Sequence, residues 1–347
     1  MRHVDTLLSR SGRGAKFGLE RMMTAREALG HPDRMLPIVH VAGTNGKGSV
    51  CAMVESIATS AGLKTGLYTS PHLSRLNERI RIGGEPITDE RLEEVLAEVL
   101  HGNFPPLTFF EAMTLAAFLA MNRAEVELAV IEVGLGGRLD ATNVIETPRV
   151  TAISNVALDH VNVLGDRVGL IAKEKAGIFK ANVPVVLGPL DAEARGPVLA
   201  HARAVGAGPI HEPKLDPRLA SAIGLVGDHQ RDNAAVAVGI VHAMDDERLL
   251  PHLKNGLKTT RWPGRHETIP YRQRLVLFDC AHNESAARAL AQTLRSSNTR
   301  DAILVFGALE DKDWQRMLAQ LLPFTRQRLY CAPPVLMAGR KEVPYEA

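Results

Sequence analysis

The stretch Val41-Ala42-Gly43-Thr44-Asn45-Gly46-Lys47-Gly48-Ser49 lies between an apolar run and an amphipathic one, and its chemistry is that of a phosphate cradle. Glycines let successive backbone N–H groups turn toward one anion, and a following helix adds the positive end of its dipole. Lys47 adds a full charge, and Ser49 is spaced to offer its hydroxyl to Mg²⁺. The strict Walker pattern is not met, because position 41 is Val and Gly48 separates Lys47 from Ser49. Nucleotide binding is therefore expected of residues 43–49, while the reaction has to be sought elsewhere.

Outward from this loop, short apolar segments alternate with longer helical patterns from Pro37 to about His211, the signature of βαβ units and a parallel sheet. Strands are predicted near 37–42, 64–69, 127–133, 149–154 and 183–187. Helices are predicted near 48–61, 88–100, 109–123, 166–179 and 191–205, then near 230–244 and 246–256. The helix from Phe109 to Phe118 is apolar nearly all round, so burial is expected, with its aromatics in the core. Thr259-Thr260-Arg261-Trp262-Pro263-Gly264-Arg265 cannot continue a helix and marks the best domain boundary. Beyond it the pattern restarts with a hairpin at 266–278, a helix at 284–296, a strand at 302–306, a helix at 311–322 and a strand at 327–331; 333–347 is aperiodic. The expected fold class is α/β: a P-loop-type parallel-sheet ATPase domain over 1–258, a hinge linker at 259–265, and a smaller Rossmann-like α/β domain over 266–347.

Composition narrows the function classes. The chain has 347 residues, 45% hydrophobic and 23% charged, enough for roughly two domains that each bury a core. Forty-one basic residues against 39 acidic ones leave +2, with no basic block suited to nucleic acid or a membrane surface. Cys51, Cys280 and Cys331 are far apart and lack metal-type spacing, which fits a reducing compartment. No apolar stretch reaches about 18 residues, and the N-terminus lacks a signal-peptide core. A cytoplasmic monomer with no nucleic-acid or membrane partner is expected.

In an open parallel sheet the working residues gather at the carboxyl ends of strands. The second strand runs into Ser70-Pro71-His72, where Ser70 is either a metal or phosphate ligand or a turn serine. The third ends at Glu132, a natural Mg²⁺ ligand or a solvated strand-end carboxylate, followed by the glycine-rich run Gly134-Leu135-Gly136-Gly137. The fourth leads to Asp159-His160, an acid beside an imidazole or a simple turn. Lys173, Lys175 and Lys180 read as a solvated helix face, or as a source of one amine neutral enough to be carbamylated by CO₂. His229-Gln230 with Asn233, Arg265, and Asp279-Cys280-Ala281-His282-Asn283 sit at helix starts or the boundary, where residues cap helices or bind ligands.

Taken in order, these motifs resemble the folylpolyglutamate synthase and dihydrofolate synthase family of the Mur ligase superfamily, from about Phe17 to Ala332. The run from Glu132 to Asn143 is the most specific, and Ser70-Pro71-His72-Leu73 with Glu78-Arg79-Ile80 resembles a mobile loop beside the site. The resemblance implies that Gly43, Thr44, Asn45, Gly46, Lys47, Gly48 and Ser49 hold ATP. Ser70 and Glu132, with Ser49 from the loop, would hold one Mg²⁺ and His160 a second, and Lys175 would be carbamylated. Asn233 would meet adenine, Asp279 and His282 the ribose side, and Arg265 the phosphates. Lys47, Lys175, His160 and Glu132 would carry catalysis. The implied reaction joins L-glutamate to dihydropteroate or a reduced folate through an acyl phosphate, with two domains closing to exclude water. Phe17 to Arg21 and Leu107 to Glu111 resemble segments on the pterin side of bifunctional bacterial members, which favours a bifunctional enzyme. The span from Gly188 to Gly227 and the second domain are both short for the family, so a small β element and part of the second sheet are expected to be missing, exposing apolar surface.

Two other functions compete: a nucleotide-binding homologue that has lost turnover, and a Mur-type ligase with a different carboxylate substrate. A generic P-loop kinase or switch would have no need of Glu174-Lys175-Ala176-Gly177.

Overall fold

A computed structural model describes residues 2–10, 18–309 and 312–331. The aperiodic stretch 333–347 and Phe17 lie outside the described residues. Two compact units are present, and among described residues the first holds 2–10, 18–224 and 231–261, the second 225–230, 262–309 and 312–331.

In the first unit, α1 (Arg2–Leu8) and α2 (Glu20–Ala28) precede β1 (Ile38–Ala42), and α3 (Lys47–Ser60) leads to β2 (Thr65–Tyr68). The hairpin β3 (Ile80–Ile82) and β4 (Glu85–Pro86) is followed by α4 (Asp89–His101), α5 (Phe109–Arg123) and β5 (Leu128–Glu132). Then come β6 (Val150–Ile153), α6 (Val161–Leu164), α7 (Val168–Ala176), β7 (Val185–Leu187), α8 (Ala192–Ala204), β8 (Ile210–His211) and α9 (Pro217–Ala220). Most of α10 (His229–Ala243) and all of α11 (Leu253–Thr259) complete this unit.

One eight-stranded sheet runs in the order β4-β3-β2-β5-β1-β6-β7-β8. Every pair from β2 to β8 is parallel, and β3 and β4 add an antiparallel edge. The chain leaves β1 on one side for β2 and returns as β5, then crosses to β6 on the other. The carboxyl end of β1 is thus the topological switch point, where ligands of such sheets bind. Register sets Val41 beside Glu132 and Ala42 beside Ile153, so three strand ends meet at the loop 43–46.

The helices follow their local chemistry. Thr108 Oγ1 accepts from Glu111 N while the Glu111 carboxylate accepts from Thr108 N, a reciprocal cap that starts α5. All residues of α5 from Glu111 to Met121 are buried, as an apolar helix within a core requires. The expected helix at 246–256 is replaced by a 3-10 turn, Leu250–His252, ahead of α11, because Pro251 lacks an N–H and fits only a helix start. The helix expected at 166–179 is confined to Val168–Ala176, ending at Gly177. Two short edge pieces, the β3–β4 hairpin and β8, were not expected, and β8 supplies a small β element within the short span after Gly188.

The second unit contains an antiparallel pair, β9 (Glu267–Tyr271) with β10 (Arg274–Phe278), then α12 (Glu284–Ser296). A parallel pair, β11 (Ala302–Phe306) with β12 (Thr325–Tyr330), flanks α13 (Trp314–Leu321). Its described strands form two separate two-stranded sheets, and Leu275 at 74% and Val305 at 64% exposure show how much apolar strand surface they leave uncovered. Among the described residues no helix is long and apolar enough to cross a membrane.

Candidate functional site

The loop after β1 is held open by backbone that only glycine tolerates. Gly46 has φ 81° and caps α3, and a Cβ there would lie 2.2 Å from Asn233 Oδ1. The segment after β6 ties the loop down from the opposite side. Thr44 N donates to Asn155 O at 3.0 Å, Asn45 N to Asn155 Oδ1 at 2.8 Å, and Ser154 Oγ to Asn45 O at 2.6 Å. Thr44 Oγ1 donates to Ala157 O and accepts from Ala157 N, both at 3.0 Å. The N-terminus of the fourteen-residue α3, with its aligned peptide dipoles, therefore opens on a braced concavity.

Lys47, in the first turn of α3, donates to Thr44 O at 3.2 Å, and its Nζ lies 3.8 Å from Glu132 Oε1. The other Glu132 oxygen accepts from Ser70 N at 3.0 Å, so the carboxylate links the ends of β2 and β5 to the phosphate loop. The hydroxyls of Ser49 and Ser70 take no hydrogen bond among the described residues.

Lys175 comes to the same place from α7. Its amine is buried and donates to Gly43 O at 2.8 Å. Burial and then the nearby Lys47 charge lower its pKa from 10.5 to about 7, against the opposing pull of Asp159 and Asp140. The helix is positioned by the glycine-rich loop after Glu132: Arg138 N donates to Glu174 O at 2.8 Å, and Asn143 Nδ2 to Arg138 O and Gly177 O at 2.9 and 3.1 Å. Gly137 is necessary here, since a Cβ would meet Glu174 O at 2.8 Å.

Asp140 closes that loop, accepting from Leu135 N at 2.8 Å, Thr142 N at 3.0 Å and Thr142 Oγ1 at 2.6 Å. Because the Thr142 hydroxyl donates to Asp140, it accepts from Nε2 of His40, 2.8 Å away. Burial holds the His40 pKa down at about 3, so the ring is neutral. Sequence patterning offers no route to His40 and Asn155 as supports, since one is a strand residue and the other a single turn amide.

His160 has a left-handed backbone, φ 51°, at the start of α6, and its Nε2 lies 4.0 Å from Asp159 Oδ1. Among the described residues no group of three or more His, Cys, Asp or Glu is arranged to hold a metal. Serine hydroxyls and one carboxylate suit a hard, water-retaining cation such as Mg²⁺ better than a dedicated protein cage does.

Arg265, Asp279 and His282 belong to the second unit, where each has a local role. Asp279 accepts from His266 N and Ala281 N at 2.9 Å each, and His282 Nδ1 donates to Cys280 O at 3.0 Å. Arg265 Nη1 donates to Gly264 O at 3.1 Å.

This loop, the strand-end carboxylate and the buried lysine all lie in the part of the chain whose matches mark it as a Mur-type ATP-dependent ligase. Residues 41–194 match the Mur ligase middle domain and residues 264–336 the Mur ligase glutamate ligase domain. The dihydrofolate synthase/folylpolyglutamate synthase of Bacillus subtilis (strain 168) is 36% identical over 343 residues, covering 89% of this chain and 79% of that protein. The structure of E. coli FolC in complex with DHPP and ADP superposes with a TM-score of 0.87 at 31% identity, covering 99% of this chain and 86% of that one. A bifunctional folylpolyglutamate synthase/dihydrofolate synthase with Mn, AMPPNP and L-glutamate bound gives 0.85 at 30% identity, with 99% and 86% covered. The chain belongs to the dihydrofolate synthase/folylpolyglutamate synthase family of the Mur ligases, and its activity is that of an ATP-dependent acid–amino-acid ligase.

Proposed function

We propose that the enzyme is bifunctional, adding L-glutamate to dihydropteroate and to reduced folates through an acyl phosphate and releasing ADP and phosphate. The observation that carries the chemistry is the convergence of Lys47, Glu132 and Lys175 on the loop at 43–46. Support for the substrates comes from the relatives, one named for both activities and one solved with DHPP and ADP.

The first step brings an acceptor carboxylate oxygen to the γ-phosphorus of ATP; the new P–O bond forms as the bond to the β-phosphate oxygen breaks. Both partners are anionic, so Lys47 and the α3 N-terminus are needed to offset their repulsion. In the second step the glutamate amine attacks the acyl carbon, the C–O bond breaks with its electron pair on the departing phosphate, and the nitrogen's proton passes to that phosphate. Gly43, Thr44, Asn45, Gly46, Lys47, Gly48 and Ser49 would cradle the phosphates, with Asn233 near the base; Arg265, Asp279 and His282 are likewise proposed as nucleotide-binding residues. Mg²⁺, when bound, screens the phosphate and carboxylate charges. Ser70, Glu132 and Ser49 would hold one such ion and His160 a second. Lys175 fits carbamylation, because an amine with a pKa of about 7 is substantially unprotonated near neutrality and can attack CO₂. We also propose a cytoplasmic monomer, the location being supported by three cysteines that form no disulfide.

The test is ADP release by the purified full chain with each acceptor, with and without L-glutamate. Release that requires an acceptor and glutamate together supports the proposal. ATP binding without amide formation, or turnover only with a nucleotide-linked muramyl acceptor, rejects it.

A further inference from the structure

Arg79 is only 3% exposed, yet no carboxylate among the described residues hydrogen-bonds to it. Its Nε donates to His72 Nδ1 at 2.9 Å, which fixes His72 as the neutral tautomer with its proton on Nε2. Its guanidinium carbon lies 5.1 Å from the centre of the Phe109 ring, a cation–π contact. Its terminal amino groups donate to nothing among the described residues. Among the described residues the fully enclosed polar atoms without partners are His31 Nδ1, His40 Nδ1, Glu55 Oε1 and His266 Nδ1; the Arg79 amino groups are not of that kind and so open onto accessible space. A fixed, desolvated cation with an unused planar fork is an incomplete ion pair.

Its surroundings point to the missing partner. Thr69 N donates to Arg79 O at 3.0 Å, so the residue is fastened beside Ser70, whose N–H holds Glu132. Glu132 lies within electrostatic reach of Arg79, as it does of Lys47. Phe110, next to the Phe109 platform, packs so closely on Gly134 that a Cβ there would meet its ring at 2.3 Å. The guanidinium therefore sits on the scaffold that carries the reacting groups, with an aromatic face beside it.

We propose that Arg79 binds the reacting carboxylate of the acceptor, an aryl carboxylate in dihydropteroate, through its terminal amino groups, with His72 and Phe109 holding the fork in place. This inference rests on the ligase function proposed above. It assigns to Arg79 the ground-state placement of the carboxylate and leaves the phosphates to Lys47.

The test is equilibrium binding to the full chain of 7,8-dihydropteroate, its analogue with hydrogen in place of the carboxylate, and ADP. Arg79→Gln should weaken dihydropteroate by at least about tenfold, the decarboxylated analogue by less than about twofold and ADP not measurably, with the acceptor KM rising and the ATP KM unchanged. Arg79→Lys, which keeps the charge without the fork, should lie between and carries the same comparison if Arg79→Gln does not fold. Equal weakening of both pterins would mean that Arg79 only supports the loop, and unchanged dihydropteroate binding would remove any role; either overturns the assignment. Failure of the wild-type chain to bind or use any pteroate or folate would instead overturn the ligase proposal.

Discussion

Lys175 Nζ and the carbonyl oxygen of Gly43 are 2.8 Å apart, although 132 residues separate them. This bond fastens α7 to the phosphate loop and places an amine of lowered pKa beside Lys47. Burial first and the Lys47 charge second lower the cost of the uncharged amine at Lys175.

Replacing Lys175 with Ala should abolish turnover and leave the fold intact, and added bicarbonate should not restore activity. Steady-state ADP release beside a far-ultraviolet circular dichroism spectrum checks both halves. Near-normal activity would refute the carbamate assignment.

Gly46→Ala should cost roughly 1–2 kcal/mol of stability and weaken ATP by at least about tenfold. The new methyl would stand 2.2 Å from Asn233 Oδ1 on a backbone with φ 81°. Thermal unfolding with and without ADP measures both effects.

Thr142→Val should destabilise the protein by about 1–3 kcal/mol, because it removes the acceptor of the buried His40 Nε2 and one of the two bonds to Asp140 Oδ1, which keeps that from the Thr142 N–H. Thr142→Ser keeps the hydroxyl and should recover most of the loss. Urea denaturation of the two variants makes the comparison.

Glu55 is buried on α3, its Oε1 without a hydrogen-bond partner among the described residues, and burial raises its pKa from 4.5 to about 7. Between these values the folded state holds a proton that the unfolded state has lost, so this stabilising contribution is complete below about 4.5 and disappears as pH rises through about 7. Glu55→Gln should therefore match wild type near pH 4.5 and exceed it near pH 8, by about 1–3 kcal/mol. Melting curves at the two pH values provide the check, and a constant difference would contradict it.

The β1–loop–α3 unit is legible in sequence because an apolar run, paired glycines and a lysine combine local conformational need with local charge. Glu132 and Ser70 are legible for a related reason, since one ends and the other closely follows a short apolar strand. Helix α2 is not, because its buried face includes Arg26, paired with Asp33 at 2.7 Å, and an apolar periodicity cannot register a buried ion pair. The edge strands β4 and β8 are two residues each, too short for alternation to show. Glu78-Arg79-Ile80 is legible as part of a loop beside the site, but no spacing gives its arginine a role of its own until Phe109, thirty residues on, is seen beneath the guanidinium. Serine hydroxyls and strand-end carboxylates announce a site, whereas residues that hold it in shape are spread over strands and turns with no shared spacing.

The most direct test of the central claim is ADP release by the full chain with ATP, Mg²⁺ and L-glutamate, comparing 7,8-dihydropteroate with a reduced folate. A bifunctional ligase releases ADP with either acceptor, forms the corresponding glutamyl amide in equal amount, and does neither when glutamate is withheld. ADP release indifferent to acceptor and glutamate, or none with either acceptor from a folded sample that binds ATP, would contradict the account.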